Sequence, residues 1–307
     1  MMETGGKEYD LFGEEIIKDV VLREKFIEPP FSVLDSKSGN WQKRKNIWKS
    51  LGIKGEIGRQ AISKRYGNQK GIFRIGTDNY RDIKKTKDYN NREYYTSIFD
   101  PALCEVIYHW FCPPNGHILD PFSGGSVRGI VANKLGYKYT GIDINEEQIK
   151  SNRDQGIDIL PVDNQPNWYV GDSDILLDGF TKKFDFVFSC PPYFNLEKYT
   201  DLDGDLSNKE KYEDFIICYK DIIKKSCSRL KNECYACFVV GEIRDKKGVY
   251  LGFVPDTIKI FTELGMQYYN EAIFLTVSAS ASIRANGNMK SKKLVKTHQN
   301  VLIFKKP

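Results

Sequence analysis

Short apolar runs alternate with segments of helical periodicity from about residue 93 to the end of the chain. The apolar runs are HILD (117–120), KYTGIDI (138–144), NWYVGDS (167–173), FDFVFSC (184–190), YACFVVGE (235–242), 267–276 and 299–305. Runs of this length bounded by turn residues predict strands, and the segments between them predict helices. Strands that alternate with helices predict an α/β fold, built on a mostly parallel, doubly wound sheet.

The first 92 residues differ in character, and we predict that residues 1–92 form a basic N-terminal extension to a domain at 93–307. Residues 37–92 carry 16 basic and 4 acidic side chains. A second basic zone, 282–298, carries 5 basic side chains and no acidic one. Such clustering favours a polyanion bound at the edges of the domain over a merely solvated lysine-rich surface.

Aromatic residues are interleaved with the first basic zone, among them Trp41, Trp48, Tyr66 and Phe73. Nucleic acid bases stack on exposed aromatic rings while lysine and arginine side chains bind phosphates. Burial by packing is the plainer role for the two tryptophans. The zone is therefore typical of a surface that binds nucleic acid. Its aromatic residues either stack on bases or are buried by packing, and the sequence leaves both roles open.

The sequence indicates a cytoplasmic protein without a membrane partner or a metal site. No apolar run approaches the roughly 20 residues needed to span a bilayer. The acidic start, MMETGGKEYDLFGEE, lacks the apolar core of a secretory signal. The CxxC pair at Cys234 and Cys237 lies in a predicted strand, whose alternation sends the two side chains to opposite faces. No second cysteine or histidine pair completes a zinc site.

Glycines and acidic residues follow the carboxyl ends of several predicted strands. In an open parallel sheet, ligands bind beyond these ends. In LDPFSGGS, Gly124 and Gly125 let the backbone approach a ligand closely. Asp143 and Asp172 end the next two strands and suit the ribose hydroxyls and the adenine amino group of a cofactor. The turn lacks the GKS or GKT of a phosphate-binding loop. The pattern favours S-adenosylmethionine (SAM) over NAD or ATP, although each acid alone could simply cap a helix.

The strand FDFVFSC ends in Cys-Pro-Pro-Tyr, and together these motifs resemble those of the DNA amino-methyltransferases, which make N6-methyladenine or N4-methylcytosine. Their cofactor turn, D-P-F-x-G-x-G, is matched by Asp120 to Gly124, with Ser126 at the second glycine. Their catalytic motif, (D/N/S)-P-P-(Y/F/W), is matched by Pro191, Pro192 and Tyr193. The opening EPPFSVLD and NWQKRKNIW also look like the start of phage and prophage-encoded DNA methylases.

The resemblance implies a Rossmann-like class I SAM-dependent methyltransferase with an antiparallel C-terminal hairpin strand, acting on a base flipped out of duplex DNA. It leaves open a cognate restriction nuclease as a partner. Expected cofactor contacts are Thr96, Ser97, Phe99, Asp120, Pro121, Phe122, Ser123, Gly124, Gly125, Asp143, Ile144, Asp172 and Ser173. Expected catalytic residues are Ser189, Cys190, Pro191, Pro192 and Tyr193. Expected DNA contacts are Lys43, Arg44, Lys45, Arg284, Lys290, Lys292 and Lys293.

Cys190 departs from the family pattern, because a thiol is a weak hydrogen-bond acceptor compared with Asp, Asn or Ser. Three interpretations stay open: Cys190 is a tolerated small residue, Ser189 takes the acceptor position, or Cys190 attacks C6 of a pyrimidine and directs carbon-5 methylation. Two other functions also remain open. One is methylation of RNA, and the other is DNA binding by an inactive methyltransferase fold.

Overall fold

The computed structural model describes residues 19–53, 99–194, 200, 202, 204–276 and 281–307. The chain divides into two compact units, Met1–Phe31 and Ser32–Pro307. The described part of the first unit contains helix α1 (Asp19–Phe26). Arg23 of this helix forms an ion pair with Glu28, which follows the helix, at 3.4 Å. The predicted domain boundary at 92/93 lies outside the described residues.

The second unit contains eight strands and eight helices among its described residues. In chain order they are β1 (Val33–Asp35), α2 (Gly39–Ser50), α3 (Pro101–Phe111), β2 (His117–Asp120), α4 (Val127–Lys134), β3 (Lys138–Asp143), α5 (Glu146–Ile159), β4 (Asn167–Val170), α6 (Ser173–Gly179), β5 (Phe184–Ser189), α7 (Tyr212–Arg229), β6 (Leu230–Val240), α8 (Phe253–Glu263), β7 (Gln267–Leu275), α9 (Ala281–Lys290) and β8 (His298–Lys305). A short 3₁₀ turn, Leu206–Asn208, precedes α7.

All eight strands form one sheet in the order β1-β7-β8-β6-β5-β2-β3-β4. Strands β4, β3, β2, β5 and β6 run parallel, as do β1 and β7, and β8 runs antiparallel to both of its neighbours. The predicted fold class, a mostly parallel sheet with an antiparallel C-terminal strand, is confirmed. Chain order reverses at β2, between β3 and β5, so a ligand site is expected beyond the carboxyl ends of these strands.

Helix α2 belongs to the predicted DNA-contacting zone, but its aromatic residues pack against α3. The side chains of Trp41 and Trp48 are 1% and 6% exposed. The indole N–H of Trp41 donates to Asp100 at 3.3 Å, and that of Trp48 donates to Glu105 at 2.7 Å. Because both rings are buried, neither can stack on a base, and burial by packing is their role. Tyr66, like Phe73, lies outside the described residues.

Every helix in the described part of the chain is too short or too polar to cross a membrane.

His117, the first residue of β2, is expected to make the fold sensitive to mild acid. Burial, and next the charge of Lys182, lower the pKa of His117 from 6.5 to about 4. Between these values the unfolded chain binds a proton that the folded chain refuses, so stability falls as pH drops from about 6.5 towards 4. Thermal unfolding at a series of pH values should show this fall, and His117→Gln should reduce its slope. Equal slopes in the two proteins would contradict the assignment.

Candidate active site

Asp120, the last residue of β2, is fully buried at the centre of a hydrogen-bond network. Its carboxylate accepts from the Arg128 Nε at 2.5 Å, the Tyr139 hydroxyl at 2.7 Å and the Ser189 hydroxyl at 2.5 Å. It also accepts from the backbone N–H of Phe122 at 3.1 Å. The bond from Ser189 joins the end of β5 directly to the turn that follows β2. Asp120 therefore holds these two strand ends together, and its oxygens are occupied by protein donors.

Arg128 on α4 braces the turn that follows β2. Its guanidinium donates to the carbonyls of Phe122 at 2.5 Å and Ser123 at 2.9 Å, in addition to Asp120. It also lies against the ring of Phe99, 4.8 Å from the ring centroid. Burial by itself lowers the pKa of Arg128, but the Asp120 carboxylate outweighs burial and the net shift is upward. Arg128 thus stays charged, and its charge is balanced by Asp120.

The glycine turn is tied to the end of β3. Gly124 has a φ of +49°, a left-handed conformation that favours glycine. Its N–H donates to the Asp143 carboxylate at 2.8 Å, and the Asn145 N–H donates to the other oxygen at 2.8 Å. Asp143 nevertheless remains partly exposed, as do Gly125 and Ile144. These residues lie together at the carboxyl edge of β2 and β3, as predicted.

Asp172 and Ser173 stand at the start of α6, after β4. The Asp172 carboxylate accepts from the Asp174 N–H at 2.8 Å and caps the helix. The Ser173 hydroxyl donates to the carbonyl of Pro121 at 2.5 Å, so that this hydroxyl is used to join α6 to the glycine turn. Asp172 remains partly exposed although its carboxylate caps the helix.

Gly204 closes over these side chains from the segment that follows the catalytic motif. A Cβ at Gly204 would lie 2.7 Å from Asp172 Oδ2 and 2.8 Å from Ile144 Cδ1. The segment is held by buried Asp205, which accepts from the backbone N–H of Thr200 at 2.8 Å and of Ser207 at 2.8 Å. The absence of a side chain at Gly204 therefore allows a close approach over the acid-lined edge. Sequence reasoning missed this glycine.

The predicted catalytic residues continue from β5. Ser189 is fully buried and donates to Asp120, so its hydroxyl does not take the acceptor position that one interpretation gave it. Cys190 is half-buried and lies close enough to Arg128 and Tyr219 to influence their pKa values. Pro191 is buried, whereas Pro192 is partly exposed.

Tyr193 lies half-buried between the ends of β5, β6 and β8. Its ring meets Phe253 edge-on at 6.0 Å between centroids, and its hydroxyl accepts from Gln299 Nε2 at 3.0 Å. A Cβ at Gly241 would lie 3.3 Å from the Tyr193 hydroxyl and 3.8 Å from Lys296 Nζ. Gln299 and Lys296 are therefore neighbours of the catalytic motif that sequence reasoning missed. The sequence signal for both residues was their position: Gln299 lies in the THQN segment that begins the closing strand, and Lys296 directly precedes that segment.

The predicted DNA contacts are distributed over two places. On α2, Lys43 is exposed, whereas Arg44 pairs with Glu105 at 2.6 Å and Lys45 pairs with Asp100 at 3.2 Å. Around α9 the structure places Arg284, which is half-buried, with exposed Lys290, exposed Lys292 and half-buried Lys293. Thr96 and Ser97, predicted to contact the cofactor, lie outside the described residues.

The strand order, the antiparallel β8 and the acids at the carboxyl edge define a Rossmann-like fold of the SAM-dependent methyltransferase type. Residues 15–154, a little less than half of the chain, match the family model N6_N4_Mtase, DNA methylase. The match confirms the predicted resemblance, and the predicted enzyme class and cofactor are those of the family. It includes Asp120 and Asp143 and ends before Cys190. No curated protein is similar enough in sequence to match the chain.

Comparison with solved structures gives matches of low sequence identity and TM-scores below 0.5. TrmN from Thermus thermophilus is 12% identical with a TM-score of 0.45, over 68% of this chain and 49% of that one. TehB from Haemophilus influenzae is 16% identical with a TM-score of 0.44, over 71% and 64%. Magnesium protoporphyrin IX methyltransferase from Synechocystis PCC 6803, with bound SAM, is 13% identical with a TM-score of 0.42, over 67% and 79%. The chain thus spans about half the length of TrmN. The fold assignment rests on the strand order.

Proposed function

We propose that this chain transfers a methyl group from SAM to an exocyclic amino group in DNA, N6 of adenine or N4 of cytosine. The observation that carries the proposal is the 2.5 Å hydrogen bond from Ser189 to Asp120. It joins the glycine turn to the strand that continues into Cys190 and the Pro-Pro-Tyr sequence. Two motifs 69 residues apart in sequence thereby meet at one edge of the sheet.

The residues at this edge fit a cofactor that is polar, carries positive charge and lacks phosphates. Asp143 and Asp172 are partly exposed, and their carboxylates would accept from the ribose hydroxyls and the adenine amino group. The nearby cation, Arg128, is already neutralised by Asp120, so it is not available to bind a phosphate. Gly204 covers one side of Asp172, at a distance that only a residue without a side chain allows. When bound, SAM supplies a methyl group on a positively charged sulfur.

The catalytic motif would prepare the amino nitrogen of the target base. That nitrogen is a poor nucleophile because its lone pair is delocalised into the ring. Hydrogen bonds from the amino group to the carbonyl of Pro191 and to the side chain of residue 190 would favour a tetrahedral nitrogen with a localised lone pair. The fixed φ of proline holds the backbone of the strand end in place for this role. Tyr193 would stack on the flipped base.

Product identification tests the proposed function directly. The full chain is incubated with methyl-labelled SAM and unmodified duplex DNA, and the nucleosides are separated and identified by mass spectrometry. We expect label in N6-methyladenine or N4-methylcytosine. Label in 5-methylcytosine would overturn the mechanism and make Cys190 a nucleophile. Label in RNA but not in DNA, in a parallel incubation, would overturn the substrate. SAM binding without any labelled product would indicate an inactive fold.

Cys190→Ser is expected to keep or raise the rate of methylation. A hydroxyl is a better hydrogen-bond acceptor than a thiol, and serine is a residue that the motif accommodates. Initial rates on duplex DNA measure the effect, with Cys218→Ser as the control, since Cys218 is also half-buried and not in a disulfide. Complete loss of activity in Cys190→Ser alone would show that the thiol itself reacts.

A further inference from the structure

The segment between β6 and α8 presents positive charge beside the catalytic motif. Residues 241–252 include Arg244, Lys246 and Lys247, all of them exposed. The segment folds back on itself through a bridge between Arg244 and Tyr250. Arg244 stiffens this turn, because its guanidinium donates to the carbonyl of Gly248 at 2.7 Å and stacks 3.7 Å from the centroid of the Tyr250 ring.

The acids of the same segment are directed inward. Glu242 accepts from the backbone N–H groups of Gly252 at 3.2 Å and Val254 at 2.9 Å, at the start of α8. Asp245 accepts from the N–H of Val249 at 2.8 Å, inside the turn. Because both carboxylates serve backbone donors, the charge that the segment offers to a partner is mainly that of its arginine and two lysines.

A second basic segment, the residues before β8, lies against the first at two points. The ammonium of Lys293 occupies the space above Gly248, where a Cβ would clash with it. The ammonium of Lys296 lies 3.8 Å from the Cβ position of Gly241, a position that is 3.3 Å from the Tyr193 hydroxyl. Arg244, Lys246, Lys247, Lys293 and Lys296 thus form one surface, called here the basic rim.

Lys296 is the member of the basic rim nearest the catalytic motif, and burial disfavours the charged form of its ammonium. Its side chain is half-buried, and no described carboxylate lies within ion-pair distance of its ammonium. Burial lowers the pKa of Lys296, partly opposed by the more distant Glu242. A cation held in this state beside Tyr193 is suited to an anion that arrives with the substrate.

We propose that the basic rim binds the backbone phosphates of duplex DNA, with Lys296 on the phosphate nearest the catalytic motif. This inference rests on the proposed function, since it takes DNA as the substrate. It adds residues 241–252 to the contact surface expected from 282–298, and it singles out Lys296 within that zone. Phosphate is the appropriate group because the rim consists of cationic side chains that donate hydrogen bonds and have no acceptors, and phosphate oxygens are the most frequent partners of such side chains in DNA complexes.

The salt dependence of DNA binding tests the basic rim. Each phosphate contact contributes about 0.9 to the slope of log affinity against log salt concentration. Binding of a fluorescently labelled duplex of random sequence is measured for the full chain between low and physiological salt. Lys296→Gln should lower the slope by about 0.9, and the pair Lys246→Gln with Lys247→Gln should lower it by up to twice that amount.

Lys231→Gln is the matched control, because it removes the same charge from the opposite end of β6. Leu230 pairs with Phe184 at the start of β5, whereas Phe238 pairs with Ser189 at its end, so Lys231 lies at the end of β5 that is away from the catalytic motif. It pairs with Asp185. Its slope should equal that of the wild type.

The outcomes separate the two proposals. If the wild type binds and methylates DNA and the Lys296→Gln variant has the same salt slope, the proposed role of the basic rim is overturned and the proposed function stands. Weaker binding with an unchanged slope would indicate a base contact instead and would also overturn it. A wild type that binds DNA but transfers no methyl group would overturn the function, while a lowered slope would still support the rim. If the rim variants lose affinity for RNA but not for duplex DNA, the choice of DNA as the partner of the basic rim is overturned.

Discussion

Arg128→Met is expected to lower the free energy of unfolding by about 3–5 kcal/mol, the usual effect of removing one partner from a buried ion pair. The side chains of Arg128 and Asp120 are 6% and 0% exposed, and their atoms approach to 2.5 Å. Without the guanidinium, the Asp120 charge stays buried and uncompensated. The carbonyls of Phe122 and Ser123 also lose a donor. Urea unfolding followed by circular dichroism measures the change.

An exposed ion pair provides the control for this prediction. Lys220 pairs with Glu263 at 2.6 Å, and both side chains are 42% exposed. Lys220→Met should therefore cost less than about 1 kcal/mol. Adding Asp120→Asn to Arg128→Met should recover part of the lost stability, because the variant no longer buries a lone charge. A loss below about 1 kcal/mol in Arg128→Met would show that the pair does not stabilise the turn.

The sheet was predictable from the sequence because each central strand is a short apolar run closed by a turn. The runs at HILD and FDFVFS coincide with β2 (His117–Asp120) and β5 (Phe184–Ser189). Strand β1 was missed because Val33–Asp35 has three residues, too few to show a period. Its place at the sheet edge depends on pairing with β7, a long-range contact that local pattern does not reveal.

The acids of the site were predictable for a similar reason, since each follows a strand of the parallel sheet. Asp143 and Asp172 lie at the predicted edge, although Asp172 also caps α6 as the simpler interpretation suggested. The role of Asp120 as the centre of a hydrogen-bond network was not predictable, because the four groups that donate to its carboxylate come from separate parts of the chain. Arg128 is the one charged residue in a run from Val127 to Asn133 that is buried and mostly apolar, and that contrast was the available signal for its role.

The basic residues were the least predictable part of the site. Charge counting identified both basic zones, but it could not separate cations that face a partner from those that hold the fold together. Arg44 and Lys45 pair with acids of α3 and its cap, whereas Lys43 is exposed. Lys296 was counted within its zone and not singled out, because its contact with the edge near Tyr193 depends on the antiparallel closure of β8.

Tyr193→Ala is expected to lower kcat/KM on DNA by about 5- to 150-fold while leaving SAM affinity close to that of the wild type. Stacking of a base on an aromatic side chain is worth about 1–3 kcal/mol, and each 1.36 kcal/mol is tenfold in rate. Tyr193 meets Phe253 and Gln299, on the side of β5 away from β3 and β4. Those two strands carry the acids assigned to the cofactor, so truncation of the ring should not disturb them.

Tyr193→Phe separates stacking from the structural role of the same ring. Phenylalanine keeps the aromatic face and the contact with Phe253 but loses the hydroxyl that accepts from Gln299, a bond worth about 0.5–1.5 kcal/mol to stability. Its rate should stay within a few-fold of the wild type, so that Phe restores what Ala removes. Steady-state kinetics, SAM titration and the thermal unfolding midpoint are measured for both variants. If Ala and Phe reduce the rate equally, the hydroxyl matters rather than the ring, and if Ala abolishes SAM binding in a folded protein, Tyr193 belongs to the cofactor site.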